Sequence, residues 1–442
     1  MVWNRKSISI YDIRTLPIIF CQMRFHAIMD RKKVVVTGMG LMSPIGKTVD
    51  DFWKALVSGR SGIDKITLCD ATEFPVQIAG EVDDFDPAEY VGKKESKRMA
   101  RFSQMAVAAA RMALCDSGLD LSGEDDDRVG VVVGNGNGGF PTTEENARIL
   151  VNRGGMKMSP FFVPMILPNM AAANISRIFG IKGYSSTIIT ACAAGNQSIG
   201  EATEVIRRGA ADVVLAGGCE AGISQLGLGG FHVIKALSRY QGRPQEASRP
   251  FDANRDGFVP AEGAGIIVLE SIEHAMGRDA NIFAEVTGYG VSSDAFHAVQ
   301  PDENGEGAAR AIKLALLDAG LKPEEINYVN AHGTSTPKND AIETLAIKQV
   351  FKDYANNVPI SSTKSMTGHV LGGAGAIEAI ACIKTIEENV IHPTINYETF
   401  DPDCDLDYVP NEARSANVKN VLSNNFGFGG QNACLVFCRF DE

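Results

Sequence analysis

The side chains best placed for chemistry are one cysteine and two histidines, each set among small residues. Cys192 stands in Thr190-Ala191-Cys192-Ala193-Ala194-Gly195. The β-branched run 185–190 before it is expected to be a buried strand. The alanine-rich stretch 193–210 after it is expected to be a helix. A sulfur on that hinge faces the unpaired N–H groups and positive dipole end of a helix, and both favour thiolate over thiol. His332 lies in Asn330-Ala331-His332-Gly333-Thr334-Ser335-Thr336, straight after an apolar segment. His369 lies in Lys364-Ser365-Met366-Thr367-Gly368-His369, before a glycine-rich helix start. A thiolate beside two imidazoles suits acyl transfer to sulfur. Two Nε2 protons donated to a thioester carbonyl would stabilise an enolate left by loss of carbon dioxide. Metal binding is the competing use of Cys and His, but no ligand spacing such as H-E-x-x-H is present, so no metal is expected. Taken singly, each residue has a plainer reading, a small buried hydrophobe or a satisfied structural histidine.

The elements that carry these residues favour the chemical reading. Strands open at Val34, Val129, Asp212 and Gly263, separated by helical patterns such as Met99, Phe102, Met105, Ala106, Ala109 and Met112. After about residue 275 the order begins again. Arg111–Leu119 and Lys313–Leu321 share Ala-Leu, Asp and Gly-Leu at the same places, each ending a helix before an acidic loop and a strand. The Cys192 strand–helix unit has a counterpart in the strand 359–363 and the helix 372–388. Two copies of one α/β unit are the simplest account, and near-continuous apolar strands imply sheets covered by helices on both faces. Equivalent junctions of two related halves can face one another across a shared crevice. The expected division is 29–275 for the half with the nucleophile and 276–442 for the half with the histidines.

Composition narrows the class. The chain has 442 residues, 45% hydrophobic and 22% charged, enough for a large core. Its net charge of −12 argues against nucleic-acid binding. Nine scattered cysteines with no C-x-x-C pair point to a reducing compartment, and a cytoplasmic location is expected. No run approaches a transmembrane helix, so no membrane partner is expected. Residues 1–28 are basic, and their apolar core is too short for a signal peptide; they are expected to be an extension or an upstream start before Met29.

Two glycine clusters imitate nucleotide sites. Gly134-Asn135-Gly136-Asn137-Gly138-Gly139 fits G-x-G-x-x-G, but Pro141 follows where a helix should open and 152–160 reads as no strand. Gly40 to Gly46 followed by Lys47-Thr48 has one residue too many for a phosphate loop. No cofactor is expected.

Together with Asn425-Phe426-Gly427-Phe428-Gly429-Gly430, the three motifs resemble the β-ketoacyl-acyl-carrier-protein synthases, in their elongating Cys-His-His class. The resemblance runs from about Lys33 to Phe440. It implies a thiolase-like layered αβαβα fold built from two repeated α/β halves, a homodimer, and condensation of malonyl carrier protein with an acyl chain held on Cys192 in fatty-acid elongation. A ketosynthase of a specialised fatty-acid or polyketide pathway is the alternative. A non-condensing partner subunit is disfavoured because such subunits replace the cysteine. The resemblance further implies an oxyanion hole from the N–H groups of Cys192 and Phe428, and decarboxylation assisted by His332 and His369. It makes Lys364 and Glu378 a supporting ion pair, has Thr334 and Thr336 bind the pantetheine arm, and makes Phe428 a gate over the acyl pocket. The partner is an acidic acyl carrier protein, and Lys93, Lys94, Lys97, Arg98 and Arg101 form the expected docking patch. Two positions depart from the family pattern: Asn137 replaces an apolar residue lining the acyl pocket, and Gln431 replaces a threonine.

Overall fold

The computed structural model describes residues 31–441, so the expected extension 1–28 lies outside the described residues. Ten strands form one sheet: β1 (Val34–Met42), β2 (Val129–Asn135), β3 (Ser185–Ile188), β4 (Val213–Glu220), β5 (Gly263–Ser271), β6 (Ala284–Ser293), β7 (Tyr328–Asn330), β8 (Ile360–Ser361), β9 (Asn420–Gly427) and β10 (Gln431–Cys438). Their order is β8-β7-β9-β10-β6-β1-β5-β4-β2-β3. Read inward from either end, the order is the same: third strand, second, fourth, fifth, first. The directions agree as well. β2 is parallel to β3 and β4, and β5 is antiparallel to β4 and β1. In the second set β7 is parallel to β8 and β9, and β10 is antiparallel to β9 and β6. The two sets join where β1 and β6 pair at Val35 with Glu285 and Val36 with Ala284.

The principal helices are α1 (Arg101–Ser117), α2 (Phe140–Arg153), α3 (Ala194–Arg207), α4 (Gln225–Val233), α5 (Glu306–Ala319), α6 (Pro337–Phe351) and α7 (Ala374–Glu388). α1 packs on β1 and β5, and α5 packs on β6 and β10. α3 and α7 lie between, each touching strands of both sets. The result is the expected αβαβα layering. Position in the layers explains composition: α7 is buried all round from Ala374 to Ile386 and is mostly alanine and isoleucine, with Glu378 and Lys384 its charged residues in that stretch. The likeness between Arg111–Leu119 and Lys313–Leu321 marks the matching ends of α1 and α5, each closed by a left-handed glycine, Gly118 at φ 62° and Gly320 at φ 68°. Gly40 serves packing and not a phosphate. A Cβ there would lie 2.2 Å from the Ala109 carbonyl oxygen on α1, just as one on Gly290 would lie 2.2 Å from that of Ala311 on α5.

Three local expectations change. β3 is an edge strand, with Ser185 exposed and Ile189 just beyond it 57% exposed; its β-branched residues do not sit in a two-sided core. Pro141 starts helix α2 instead of preventing one, since a proline in the first helical turn gives up an N–H that has no partner there anyway. The Cys192 helix begins at Ala194, after a short 3₁₀ turn at Ala191–Ala193. Among the described residues no helix is long and apolar enough to cross a membrane.

Candidate active site

The layering brings the N-terminal turns of α3 and α7 together at the middle of the molecule. Both helices are entered by the same bend: a 3₁₀ turn whose first residue is left-handed, Ala191 at φ 50° and Leu371 at φ 48°. Aligning these bends makes Gly372 the counterpart of Cys192. The junctions are equivalent, but His369 belongs to the loop that leads into its junction, three residues before Gly372.

Cys192 Sγ and one ring nitrogen each of His332 and His369 lie within 4.8 Å of one another, all three side chains buried. The imidazoles meet edge to face, centroids 5.3 Å apart at 82°. His369 is backed by Phe258 at 5.2 Å and His332 by Phe426 at 5.7 Å. The Leu371 N–H donates to Nδ1 of His369 at 3.3 Å, which leaves the ring proton on Nε2. The backbone N–H groups of His332 and Gly333 both donate to the Glu343 carboxylate at 2.8 Å, fixing the loop that carries the ring. Burial, then the nearby Lys364 ammonium, holds both histidines well below the usual imidazole range, so both are neutral donors at neutral pH.

The thiol does not follow the dipole argument. Burial pushes Cys192 up to about 12, against the lowering pull of Lys364 and of the backbone N–H groups of Phe428 and Cys192 itself. The resting group is a thiol, and those N–H groups converge on the position of its sulfur. Gly427 makes this possible. A Cβ there would lie 2.6 Å from the Thr190 oxygen and 3.1 Å from the Cys192 nitrogen, so only glycine lets the Phe428 loop lie over the Cys192 turn. The same trio of donors could hold a soft metal ion, but the Lys364 charge that acts on all three opposes a cation and favours developing anions.

Lys364 Nζ bonds Glu378 Oε1 at 2.5 Å, both side chains at most 2% exposed. Thr363 and Asn425 donate to the same carboxylate at 3.0 and 2.7 Å. Cys192, both histidines, Thr334, Thr336, Phe258 and Phe428 line one chamber of about 460 Å³. The two threonine hydroxyls are 3.0 Å apart.

Other assigned residues fall elsewhere. Lys93, Lys94, Lys97 and Arg98 are exposed, but Arg101 is not available to a partner. Its guanidinium is turned inward onto the buried Glu262 carboxylate at 2.6 and 2.7 Å and onto the Val82 carbonyl oxygen at 3.0 Å. Asn137 lies outside the chamber lining, and Gln431 opens β10 with no contact that explains the choice. Reading the motifs missed three features. Glu343 stands eleven residues past His332 with no signature of its own. Lys235 and Lys338 are exposed lysines on the chamber lining. Glu220, fully buried at the end of β4, accepts N–H groups from Gly136 at 2.9 Å, Asn137 at 3.2 Å and Gly372 at 3.3 Å. A Cβ on Gly136 would lie 2.5 Å from the Glu220 Oε2, and Cβ atoms on Gly134 and Gly138 would lie 2.3 and 2.5 Å from the carbonyl oxygens of Ala194 and Ile166, so packing accounts for these glycines of the cluster that imitates a dinucleotide site.

Comparison with known proteins identifies the family. Residues 31–275 match the family model described as beta-ketoacyl synthase, N-terminal domain, and residues 283–398 match beta-ketoacyl synthase, C-terminal domain. The 3-oxoacyl-[acyl-carrier-protein] synthase 2 of Synechocystis sp. is 47% identical over 412 residues, 93% of this chain and 99% of that protein. The synthase of the same name from Coxiella burnetii is 47% identical over 411 residues, with the same coverage. Among solved structures, the ishigamide ketosynthase/chain length factor superposes with a TM-score of 0.87 at 40% identity, over 93% of this chain and all of that one. A type II PKS acyl-carrier protein in complex with its ketosynthase, bound to the hexaketide, gives 0.85 at 39%, again over 93% of this chain and all of the matched chain. Matches to both halves in order, and relatives alike along nearly their whole length, establish that this chain belongs to the beta-ketoacyl synthase family.

Proposed function

We propose that the chain is a 3-oxoacyl-[acyl-carrier-protein] synthase, an acyltransferase that extends a carrier-bound acyl chain by decarboxylative condensation in fatty-acid elongation. The observation that carries the reading is the buried grouping of one thiol with two neutral histidines within 4.8 Å. The Cys192 sulfur attacks the acyl thioester, and its proton leaves with the carrier thiol. The N–H groups of Cys192 and Phe428 hold the oxyanion of that step. Malonyl carrier protein then enters past Thr334 and Thr336. As carbon dioxide leaves, the enolate oxygen takes hydrogen bonds from His332 and His369. The enolate carbon attacks the acyl-cysteine, the C–S bond breaks, and a proton from water restores the thiol. Lys364, balanced by Glu378, favours each of these anions. Phe428 gates the acyl pocket. The test is mass spectrometry of an acyl-carrier primer incubated with malonyl carrier: a 3-oxoacyl carrier two carbons longer supports the reading, and release of carbon dioxide with no extended product overturns it.

The carrier docks on exposed lysines and arginine at 93–98. Reversing Lys93, Lys94, Lys97 and Arg98 to glutamate is expected to raise KM for the acyl carrier about tenfold at low salt and less at high salt, with kcat little changed. A small-molecule thioester of the same acyl group should react as before. An equal loss with both substrates would place the defect in the fold and not in docking.

A homodimer is supported by the exposed apolar side chains of Leu150 and Val151 on α2, Met156 and Val163 after it, and Ile189 beside the edge strand β3. An open edge next to apolar surface calls for a cover. Sedimentation at twice the chain mass of 47.3 kDa is expected. A cytoplasmic location is supported by cysteines that are all free among the described residues.

The polyketide reading is favoured by the polar residue at Asn137 and by the likeness to solved ketosynthases of that kind.

A further inference from the structure

His369 is held by its backbone as well as by its ring. Its N–H donates to the Val259 carbonyl oxygen at 2.8 Å, and its own carbonyl oxygen accepts the Ala261 N–H at 3.0 Å. Phe258, next in the chain to Val259, supplies the ring that backs the imidazole. The segment 258–262 therefore sets both the backbone position of His369 and the packing of its ring.

What fixes that segment lies on its other side. Gly80, at the end of the short strand Ile78–Gly80, donates its N–H to the Pro260 carbonyl oxygen at 2.9 Å and accepts the Glu262 N–H at 3.0 Å. The Glu262 carboxylate, 1% exposed, accepts the Val82 N–H at 2.9 Å. Arg101 grips the same carboxylate through Nε at 2.7 Å and Nη2 at 2.6 Å, and Nη2 also donates to the Val82 carbonyl oxygen at 3.0 Å. One guanidinium thus ties residue 82 to residue 262 and closes a ribbon whose far edge is His369.

Local chemistry does not ask for an arginine at this place. Arg101 is the first residue of α1, whose N-cap Ala100 offers no side-chain oxygen, and a cation there opposes the helix dipole. The planar fork that meets one carboxylate with two N–H groups explains arginine in preference to lysine. Without it a buried carboxylate would be stranded beside the clamp on His369.

We infer that Arg101 is a positioning residue: with Glu262 it holds the backbone clamp that aims the His369 Nε2 proton at the enolate oxygen. This rests on the condensing reading above. His332 is set by a different carboxylate, Glu343, so the two donors have separate anchors. They must still meet on one oxygen, and a displacement of about 1 Å costs roughly 100-fold in rate.

The experiment follows the two half-reactions separately in wild type, Arg101→Met, Arg101→Lys and Glu262→Gln. Arg101→Met and Glu262→Gln are expected to release carbon dioxide from malonyl carrier about 10- to 100-fold more slowly, while Cys192 acylation stays within about twofold of wild type. Arg101→Lys, which keeps the charge but not the fork, should keep part of the rate. The loss should be equal with a small malonyl thioester and insensitive to salt, unlike that of the docking variants. In a His369→Ala background, Arg101→Met should add less than about twofold, because a residue acting through the ring has nothing left to aim. Equal losses in both half-reactions would overturn the proposal, as would a full further loss beside His369→Ala. So would an effect confined to the carrier-bound substrate, which would return Arg101 to docking. Should Arg101→Met not fold, Arg101→Lys and Glu262→Gln carry the same split. Unchanged decarboxylation in the variants overturns the proposal and leaves the condensing reading intact, whereas no decarboxylation by wild type overturns that reading instead.

Discussion

Replacing Cys192 with alanine abolishes condensation, by more than about 10⁴-fold, while decarboxylation of malonyl carrier continues. The acyl chain must be parked on the enzyme while its partner reacts, and among the described residues no other thiol reaches the chamber. Of the eight free cysteines described, only Cys192 lies on the chamber lining. Alanine suits the backbone, since the neighbours are Ala191, Ala193 and Ala194, and the left-handed bend falls on Ala191 rather than on the substituted residue. The histidines and the Lys364–Glu378 pair are untouched, so the enolate site survives. Intact-mass measurement after mixing with acyl carrier checks the first half, since wild type gains one acyl group and Cys192→Ala gains none. Carbon dioxide release checks the second. Condensation retained in the variant would remove Cys192 as nucleophile. The thiol's ionisation adds a pH signature. With Cys192 pushed up to about 12, the thiolate fraction rises about tenfold per pH unit, so alkylation of this residue should climb steeply between pH 7 and 9. A plateau above pH 7 would show that the converging N–H groups outweigh burial.

That thiol marks where sequence reasoning reaches and where it stops. The halves were legible because each helix end and each strand–helix bend occurs twice, as in the Gly118 and Gly320 caps. The trio was legible because its motifs are local runs. Burial was not, since it depends on what the rest of the chain packs around a residue. The dipole argument placed Cys192 at a helix start and missed the desolvation that dominates there. Arg101 looked like its basic neighbours because nothing nearby reveals Glu262, which is brought to it from another part of the chain. Glu220 and Glu343 carry no motif, because their task is to receive backbone N–H groups that only the fold assembles. The edge position of β3 was hidden for a related reason, since β-branched residues serve equally in a covered core and in an edge strand.

The two histidines should fail in the reverse sense from the cysteine. In His332→Ala or His369→Ala, Cys192 is still acylated but decarboxylation falls by roughly 10²–10³, the usual cost of removing one donor from an oxyanion site. Normal decarboxylation in either variant would take that histidine out of the mechanism. Glutamine tells hydrogen bonding from packing: its amide nitrogen reaches near the position of Nε2, so His369→Gln should recover part of what His369→Ala loses. The pH dependence separates donor from general acid. Burial and Lys364 hold both rings well below the ordinary histidine value of 6.5, so each stays neutral as pH falls through that value. Protonation of His369 would also cost the bond that Nδ1 accepts from Leu371. Decarboxylation by Cys192→Ala, free of the thiol's own ionisation, should therefore be flat from pH 8 down to about 6. A step near 6.5 would mean that an imidazolium takes part, and the enolate would then be held by charge and not by two neutral N–H donors.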